Sequence, residues 1–273
     1  GDSASAVGLN AVDVDALAVT GTLTLNDNIT VDDSLDLSTN VASITLAANS
    51  VIDVAAGGVD QSITLADTTG DFDLTLTGDS ASAVGLNAVD VDALALTGGV
   101  LTLNGDIESD GALDFTSVDS ITLGGNVVIT GDDAGTKKDI TFDAANVITG
   151  ANTLSLVGDT VTLHQVGDGT TDPTQLTVTA GTSLSLNNNL TIDGAVALDA
   201  NVAAIALAAN SVIDASGGTN AAIALADVTG DFDLTITGDT GASGSAITLD
   251  GANVDALAMT GGVLSLNGDI ESD

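Results

Sequence analysis

The stretch Ile44-Thr45-Leu46-Ala47-Ala48-Asn49-Ser50-Val51-Ile52-Asp53, ITLAANSVID, returns almost unchanged as IALAANSVID at residues 205–214. Apolar and small residues alternate through its first three positions, an Ala-Ala-Asn step interrupts, and apolar letters resume. Alternation on each side of an Asn is the pattern of strand, turn, strand, because strand side chains point to opposite faces in succession and Asn tolerates turn geometry. Ile44 and Leu46 are therefore expected to face a core and Thr45 to face water. Asn49 is expected to make the corner, and Val51 and Ile52 to begin the next strand.

Working outward, the chain repeats itself at several scales. GDSASAVGLNAVDVDALA at 1–18 recurs letter for letter at 78–95, and NGDIESD at 104–110 recurs at 267–273. The block 23–76 matches 184–236. Beneath these long copies runs a shorter unit marked by an apolar–small–apolar triplet. The triplet ends at Leu25, Leu46, Leu65, Leu86, Leu103, Leu123, Phe142, Leu163, Leu186, Leu207, Leu225, Leu249 and Leu266. Its mean spacing is about 20 residues, shorter than helical-hairpin repeats, and no segment offers a sustained 3.6-residue period with caps. An all-β fold follows: a right-handed parallel β-helix, or β-solenoid, of about 14 rungs of about 20 residues, each rung stacking on the last. Residues 1–273 read as a single solenoid shaft, with two or three strands per rung.

Composition fits a thin, regular core. The chain is 44% hydrophobic yet has four Phe, no Tyr, Trp or Cys, and 32 Gly against one Pro. Phe72, Phe115, Phe142 and Phe232 fall at inward parity. Thirty-nine acids against two Lys give a formal charge of −37, which opposes binding to nucleic acid or to an anionic membrane. Such a surface is tolerated where cations are plentiful, so an extracellular setting is expected. No apolar run is long enough to span a bilayer as a helix.

Three side-chain patterns bear on function. A polar residue follows most triplets by three or four positions: Asn28, Asn49, Asp106, Asn126, Asn146, Asn189, Asn210, Asn253 and Asp269. The Asn residues read as a structural turn ladder, stacked from rung to rung, in which each side-chain amide donates to the carbonyl of its neighbour and satisfies polar groups at a buried corner. The second pattern is a set of i,i+2 carboxylate pairs: Asp71 with Asp73, Asp90 with Asp92, and Asp231 with Asp233. Each pair lies on one strand face, and stacked carboxylates are hard oxygen donors of the kind Ca²⁺ takes. No glycine-rich nonapeptide calcium turn and no EF-hand loop accompanies them. The third is an outward column rich in Thr, including Thr24, Thr45, Thr64, Thr102 and Thr122. Thr suits a strand face, and flat Thr arrays can also order water on ice.

No catalytic set emerges. Paired carboxylates could serve glycoside hydrolysis, but the aromatic platforms and basic residues such a site would use are lacking. The basic residues are Lys137, Lys138 and His164. The Lys pair lies in the turn-like DDAGTKKD, and His164 has no Ser or Cys partner in the pattern.

The runs LTLNGDIESDGALDFTSVDSITLGGNVVITG and LTVTAGTSLSLNNNLTIDGAVALDA resemble the repeat regions of filamentous-haemagglutinin-type exoproteins and large autotransporter-like adhesins. The resemblance covers nearly the whole chain and is one of pattern. It implies a right-handed parallel β-helix stalk, secreted and displayed on a bacterial cell surface, that serves adhesion or matrix formation. The family's N-terminal secretion domain and a membrane-anchoring barrel have no counterpart in the sequence, which is therefore expected to be interior shaft.

Together these readings predict a non-catalytic structural solenoid, the shaft of an extracellular fibre, adhesin or sheath, assembling end to end into filaments. Its expected partners are copies of itself or flanking repeats, and a host or neighbouring cell surface, with no nucleic acid and no membrane insertion. No cofactor is required, Ca²⁺ being the one candidate. The alternatives are a Ca²⁺-binding or ice-active module and, behind these, a polysaccharide-degrading β-helix enzyme.

Overall fold

The computed structural model describes residues 6–55, 61–80, 82–144, 146–240 and 245–272. The chain forms two compact units, Gly1–Thr136 and Lys137–Asp273. Each is a stack of parallel strands, and no α-helix occurs among the described residues. The fold is a parallel β-solenoid. The first five residues of the exact 1–18 repeat lie outside the described residues.

The strand registers give three strands per turn. In the first unit one ladder runs through Ala6–Leu9, Gly21–Leu25, Val41–Leu46, Thr68–Gly70, Val89–Val91, Ile107–Ser109 and Val127–Asp133. A second runs through Val12–Val14, Ile29–Val31, Ser50–Asp53, Leu74–Thr77, the first half of Leu94–Leu103, and Leu113–Asp114. The third takes Leu35–Leu37, Ile63–Leu65, Ala83–Leu86, the second half of Leu94–Leu103, and Val118–Leu123. The second unit repeats the scheme, with ladders that include Ile205–Leu207 on Leu184–Leu186, Ser211–Asp214 on Leu190–Thr191, and Ile223–Leu225 on Val196–Leu198.

About 11 turns are present, fewer than the 14 expected. The physical reason lies in the triplet used to count them. Leu65 stacks on Leu37, whereas the Ile44–Leu46 segment is continued by Thr68 and Thr69. The triplets ending at Leu46 and Leu65 thus belong to different faces of the solenoid, and counting them as successive rungs adds a rung. The second unit repeats the slip: Leu225 stacks on Leu198, while Ile205 is continued by Val228. Turn length also varies, from the 16 residues between Ala6 and Thr22 to the 28 between Leu35 and Ile63. The extra residues go into corners, where a longer loop costs little.

The core is the inward column of each ladder. Leu23, Leu25, Ile29, Ile44, Leu46 and Ile52 are buried, while Thr45 between two of them is exposed. Each such aliphatic side chain contributes about 1.5–3 kcal/mol on burial. In ITLAANSVID the second strand turns Ser50 and Ile52 inward and leaves Val51 half-exposed. The buried Ser50 hydroxyl donates to the Ala48 carbonyl at 2.9 Å, and Ser211 does the same to Ala209 at 3.0 Å. Among the described residues, every buried side-chain polar atom has a partner, as a dry interior requires. Phe115 and Phe142 are core residues. Phe72 and Phe232, expected inward, are half-buried, because the preceding glycine bends the chain: the Phe72 N–H donates back to the Gly70 carbonyl at 2.9 Å.

Gly70 and Gly230 hold the same place in the two matching blocks, with φ of +152° and +150°. A Cβ on Gly70 would stand 2.7 Å from the Leu46 carbonyl oxygen, and one on Gly230 2.7 Å from that of Leu207. Glycine is required there by the backbone angle and by the turn beneath.

Candidate functional site

The polar residue that opens a strand does one recurrent job. In the first unit the Asn28 side-chain oxygen accepts the N–H of Val51 at 2.8 Å, and that of Asn49 accepts the N–H of Asp73 at 3.1 Å. Asp106 accepts from Val128 at 2.8 Å, and Asp67 from Ala88 at 3.3 Å. In the second unit Asn189 accepts from Val212 at 2.9 Å, Asn210 from Asp233 at 3.1 Å and Asp139 from Thr160 at 3.1 Å. The register explains the uniformity. Ile29 pairs with Ile52, so Asn28 lies directly beneath Val51, and its side chain reaches a donor that the ladder leaves open at the corner. The expected donation from each amide to its neighbour's carbonyl at a buried corner is thus replaced: Asn28, Asn49, Asn189 and Asn210 are exposed, and their amide oxygens accept from the backbone of the next turn.

The remaining Asn residues are placed differently. Asn146 is fully buried and its Oδ1 accepts the N–H of Asp143 at 2.8 Å, a local turn closure. Asn126 is exposed at the residue before Val127–Asp133. Asn253 is the exposed middle residue of Ala252–Val254, in register with Thr229 and Glu271. Asp67, Asp106 and Asp139 cap backbone donors as the Asn residues do. Their sequence signal is position, one residue before the first inward side chain of a strand.

The carboxylates assemble into corner columns. Gly70, Val91, Ser109 and Gly131 stand in register in the first unit. The residues that follow them, Asp71, Asp92, Asp110 and Asp132, therefore project one turn apart, about 4.8 Å each. Partial desolvation first, and then the negative charges of Asp110, Asp71, Asp73 and Asp133, raise the Asp92 carboxyl above the usual carboxylate range. Asp90 points outward from the same strand, in register with Glu108. Asp73 is tied to Asn49, whose side-chain N–H donates to its carboxylate at 2.8 Å. In the second unit Asp231 is exposed, and Asp233 receives the matching bond from Asn210 at 3.4 Å. Among the described residues, no group of three or more His, Cys, Asp or Glu side chains is arranged to hold a metal ion.

Other acids close turns. Asp36 accepts from the Thr39 hydroxyl at 2.6 Å, the Ser38 hydroxyl at 2.7 Å and the Ser38 N–H at 2.8 Å. Those bonds, with Thr39 leading, lower its pKa to about 2 from the ordinary 3.8. In the loop 167–173, the buried Asp172 accepts the N–H groups of Asp168 and Gly169, both at 2.8 Å, while Asp168 accepts those of Thr170 and Thr171. The backbone bonds from Thr171 and Thr170 hold the Asp168 carboxyl below its usual range. Both carboxylates thus face backbone donors, which is the arrangement of a structural turn.

His164 is half-buried, and its Nε2 lies 3.1 Å from the Asn187 side-chain nitrogen one turn above. With the amide donating, that ring nitrogen is an acceptor. Shallow grooves mark the surface of the described residues, two of them of similar size. One of about 480 Å³ in the first unit is lined by Asp73, Thr75, Ala95, Thr97 and Asp114 among others. One of about 420 Å³ in the second includes Asp227, Thr229, Asn253, Asp269 and Glu271. Neither brings a nucleophile to a base. Among the described residues, no helix is long and apolar enough to cross a membrane.

The exact repeat carries one further piece of geometry. Ala6–Leu9 and Val12–Val14 occupy the first and second ladders of their unit. Their letter-for-letter copies, Ala83–Leu86 and Val89–Val91, occupy the third and the first. One sequence therefore serves on different faces of the solenoid. Compared with known protein families, with curated proteins and with solved structures, the chain matches none.

Proposed function

We propose that the chain is a non-catalytic structural β-solenoid, the shaft of an extracellular fibre, adhesin or sheath. The observation that carries this reading is the reuse of one strand–corner–strand sequence on different faces. A binding or catalytic surface needs particular side chains on a particular face, in fixed relation to their neighbours. A repeat that keeps its letters while changing face keeps what every face shares: inward aliphatic residues, a polar cap at the corner and an acidic exterior.

The polar groups support the same reading. The Asn and Asp caps, the Asp36 turn and the 167–173 loop direct their hydrogen bonds to the backbone and to side chains of the same corner. Acids such as Asp71, Asp110 and Asp231 stand exposed at corners, and such a surface suits an exterior bathed in cations. A stalk of the kind built by filamentous-haemagglutinin-type exoproteins would use these properties for reach and solubility.

Thermal melts in excess Ca²⁺ and in excess chelator, with electron microscopy of the native assembly, test the proposal. The expected results are coincident melts and an elongated fibre or sheath. A melt that collapses in chelator would establish a Ca²⁺-dependent module instead. Release of sugar from a polysaccharide panel, lost on replacing one acid, would establish an enzyme.

A further inference from the structure

The sequence holds Asn-x-Thr at two places, Asn28-Ile29-Thr30 and Asn189-Leu190-Thr191, and Asn-x-Ser at none. They stand at matching positions of the blocks 23–76 and 184–236. In each, the strand turns the middle residue inward, Ile29 and Leu190 being 0% exposed, and leaves the Asn and the Thr together on the outer face. Asn28 and Asn189 are exposed, and Thr30 and Thr191 are half-buried.

These two amides differ from the other corner caps in one respect. Asn28, Asn49, Asn189 and Asn210 all use Oδ1 to accept a backbone N–H of the next turn. Asn49 and Asn210 also commit Nδ2, to the carboxylates of Asp73 and Asp233 at 2.8 and 3.4 Å, and both sit in Asn-Ser-Val, with no hydroxyl two residues on. The Nδ2 of Asn28 and that of Asn189 donate to no group among the described residues. The caps followed by the Thr are thus the caps whose nitrogen is open. Val51 and Val212, directly above them, are half-buried aliphatic residues that a substituent on the nitrogen would cover.

We infer that Asn28 and Asn189 are N-glycosylation sites, each taking a glycan from an activated glycosyl phosphate. Asn-x-Thr is the acceptor pattern of asparagine glycosyltransferases, which act on surface positions of secreted chains. The inference therefore rests on the extracellular reading above. In the transfer Nδ2 bonds to the anomeric carbon of the sugar, and that carbon's bond to a phosphate oxygen breaks. The phosphate leaves with the bonding electron pair, and one Nδ2 proton passes to a base of the transferase. The product keeps Oδ1 and one N–H, so the caps on the Val51 N–H at 2.8 Å and the Val212 N–H at 2.9 Å survive. A glycan on Asn49 or Asn210 would instead occupy a nitrogen that already donates to a carboxylate. The backbone of each acceptor is tied into its ladder: the Asn28 carbonyl accepts the Val12 N–H at 3.0 Å, and the Asn189 carbonyl the Val166 N–H at 3.1 Å. Transfer thus precedes closure of the turn, and folding then leaves the glycan on the outer face.

The test starts from the protein isolated from its producing cells, cleaved at its acids and sequenced by mass spectrometry. Peptides carrying Asn28 and Asn189 should be heavier by the mass of a glycan, and those carrying Asn49 and Asn210 should be bare. Thr30→Ala and Thr191→Ala, expressed in the same cells, keep both Asn caps and remove the hydroxyls. Each should lose the glycan at its own site and retain it at the other, with circular dichroism confirming a folded chain. Translating the full chain in vitro distinguishes the donors: membranes with a labelled lipid-linked sugar form one arm, and the soluble fraction with a labelled nucleotide sugar the other. Label entering in either arm supports the inference and names the source. Three results would overturn it: bare Asn28 and Asn189 in the native protein, equal modification of Asn49 and Asn210, or glycans that persist at both sites in the Thr→Ala variants. Bare amides would leave the non-catalytic shaft standing, whereas chelator-dependent folding or release of sugar from a polysaccharide would overturn the shaft without touching the glycans.

Discussion

Asn49 and Asp73, one turn apart in the first unit, exchange two hydrogen bonds: Asn49 Oδ1 accepts the Asp73 N–H at 3.1 Å, and Asn49 Nδ2 donates to Asp73 Oδ2 at 2.8 Å. Asn210 and Asp233 repeat the exchange in the second unit at 3.1 and 3.4 Å. An amide offers an acceptor and a donor on two separate atoms, so it can make both bonds at once. It serves the open N–H of the next turn and steadies the carboxylate beside it.

Replacing Asn49 with Ala should therefore cost about 1 kcal/mol, the net worth of a typical intramolecular hydrogen bond with part of a second. Asn49→Asp keeps the acceptor but sets a second carboxylate against Asp73. At neutral pH it should be the more damaging change, and below about pH 4, where carboxyls protonate, the repulsion goes and it should become the milder of the two because it keeps the acceptor that Ala lacks. Urea unfolding at pH 7 and pH 3.5 measures both. Equal stability of the Asp variant and the wild type at pH 7 would show that the Nδ2 bond contributes nothing.

Gly70→Ala should destabilise the first unit by about 1–3 kcal/mol, the usual cost of forcing a methyl into occupied space. The backbone angle adds to it. A Cβ there meets the Leu46 carbonyl oxygen at 2.7 Å and the Leu46 Cβ at 2.9 Å, and both belong to the fixed turn beneath. Gly135→Ala is the control: it also has a positive φ, at +89°, but nothing lies within 4 Å of its Cβ position. Guanidinium midpoints of the two variants should differ, with Gly70→Ala the lower.

Much of this architecture is legible in the sequence, and the part that is not has a physical cause. Ile44, Thr45 and Leu46 fall on the faces their alternation requires, because a two-residue period leaves no other choice once a core exists. The number of turns was not legible, because ITL at 44–46 and ITL at 63–65 read alike and lie on different ladders. An aliphatic triplet satisfies any face of a three-sided core, so nothing local records which face it takes. The Asn caps could be found as turn residues. Asp106 could be found by the same position, but Asp67 and Asp139 were lost among 39 acids, since a carboxylate that caps a backbone N–H carries the same letter as one that only faces water.

The turn Asp36-Leu37-Ser38-Thr39 should give the first unit an acid-sensitive limb. The Asp36 pKa, about 2 when folded against the ordinary 3.8, is depressed by hydrogen bonds that exist only in the folded turn. A depressed folded pKa contributes stability that is complete above the unfolded value and is lost as pH falls through about 3.8 toward 2. Asp36→Asn should remove that slope while leaving the rest of the acid transition in place. Chemical-shift titration of the Asp36 carboxyl gives the folded pKa directly, and a value near 3.8 would exclude the effect.

Asp92 should behave in the opposite sense. Its carboxyl is raised by partial desolvation and then by Asp110, Asp71, Asp73 and Asp133, so the folded state holds its proton more tightly than the unfolded chain does. Ionisation at neutral pH therefore works against folding, and the penalty fades as pH falls through the raised folded value toward the ordinary one. Asp92→Asn removes one charge from the middle of the column Asp71, Asp92, Asp110 and Asp132. It should raise the urea midpoint at pH 7 in 0.02 M NaCl, raise it less in 0.5 M NaCl where the neighbours are screened, and leave it unchanged at pH 3. Asp119→Asn, at an exposed position outside the column, should show a smaller gain and a weaker dependence on salt. If the two variants respond alike, the cost of these acids is a property of the overall charge of −37, and the stacking of Asp92 between Asp71 and Asp110 adds nothing to it.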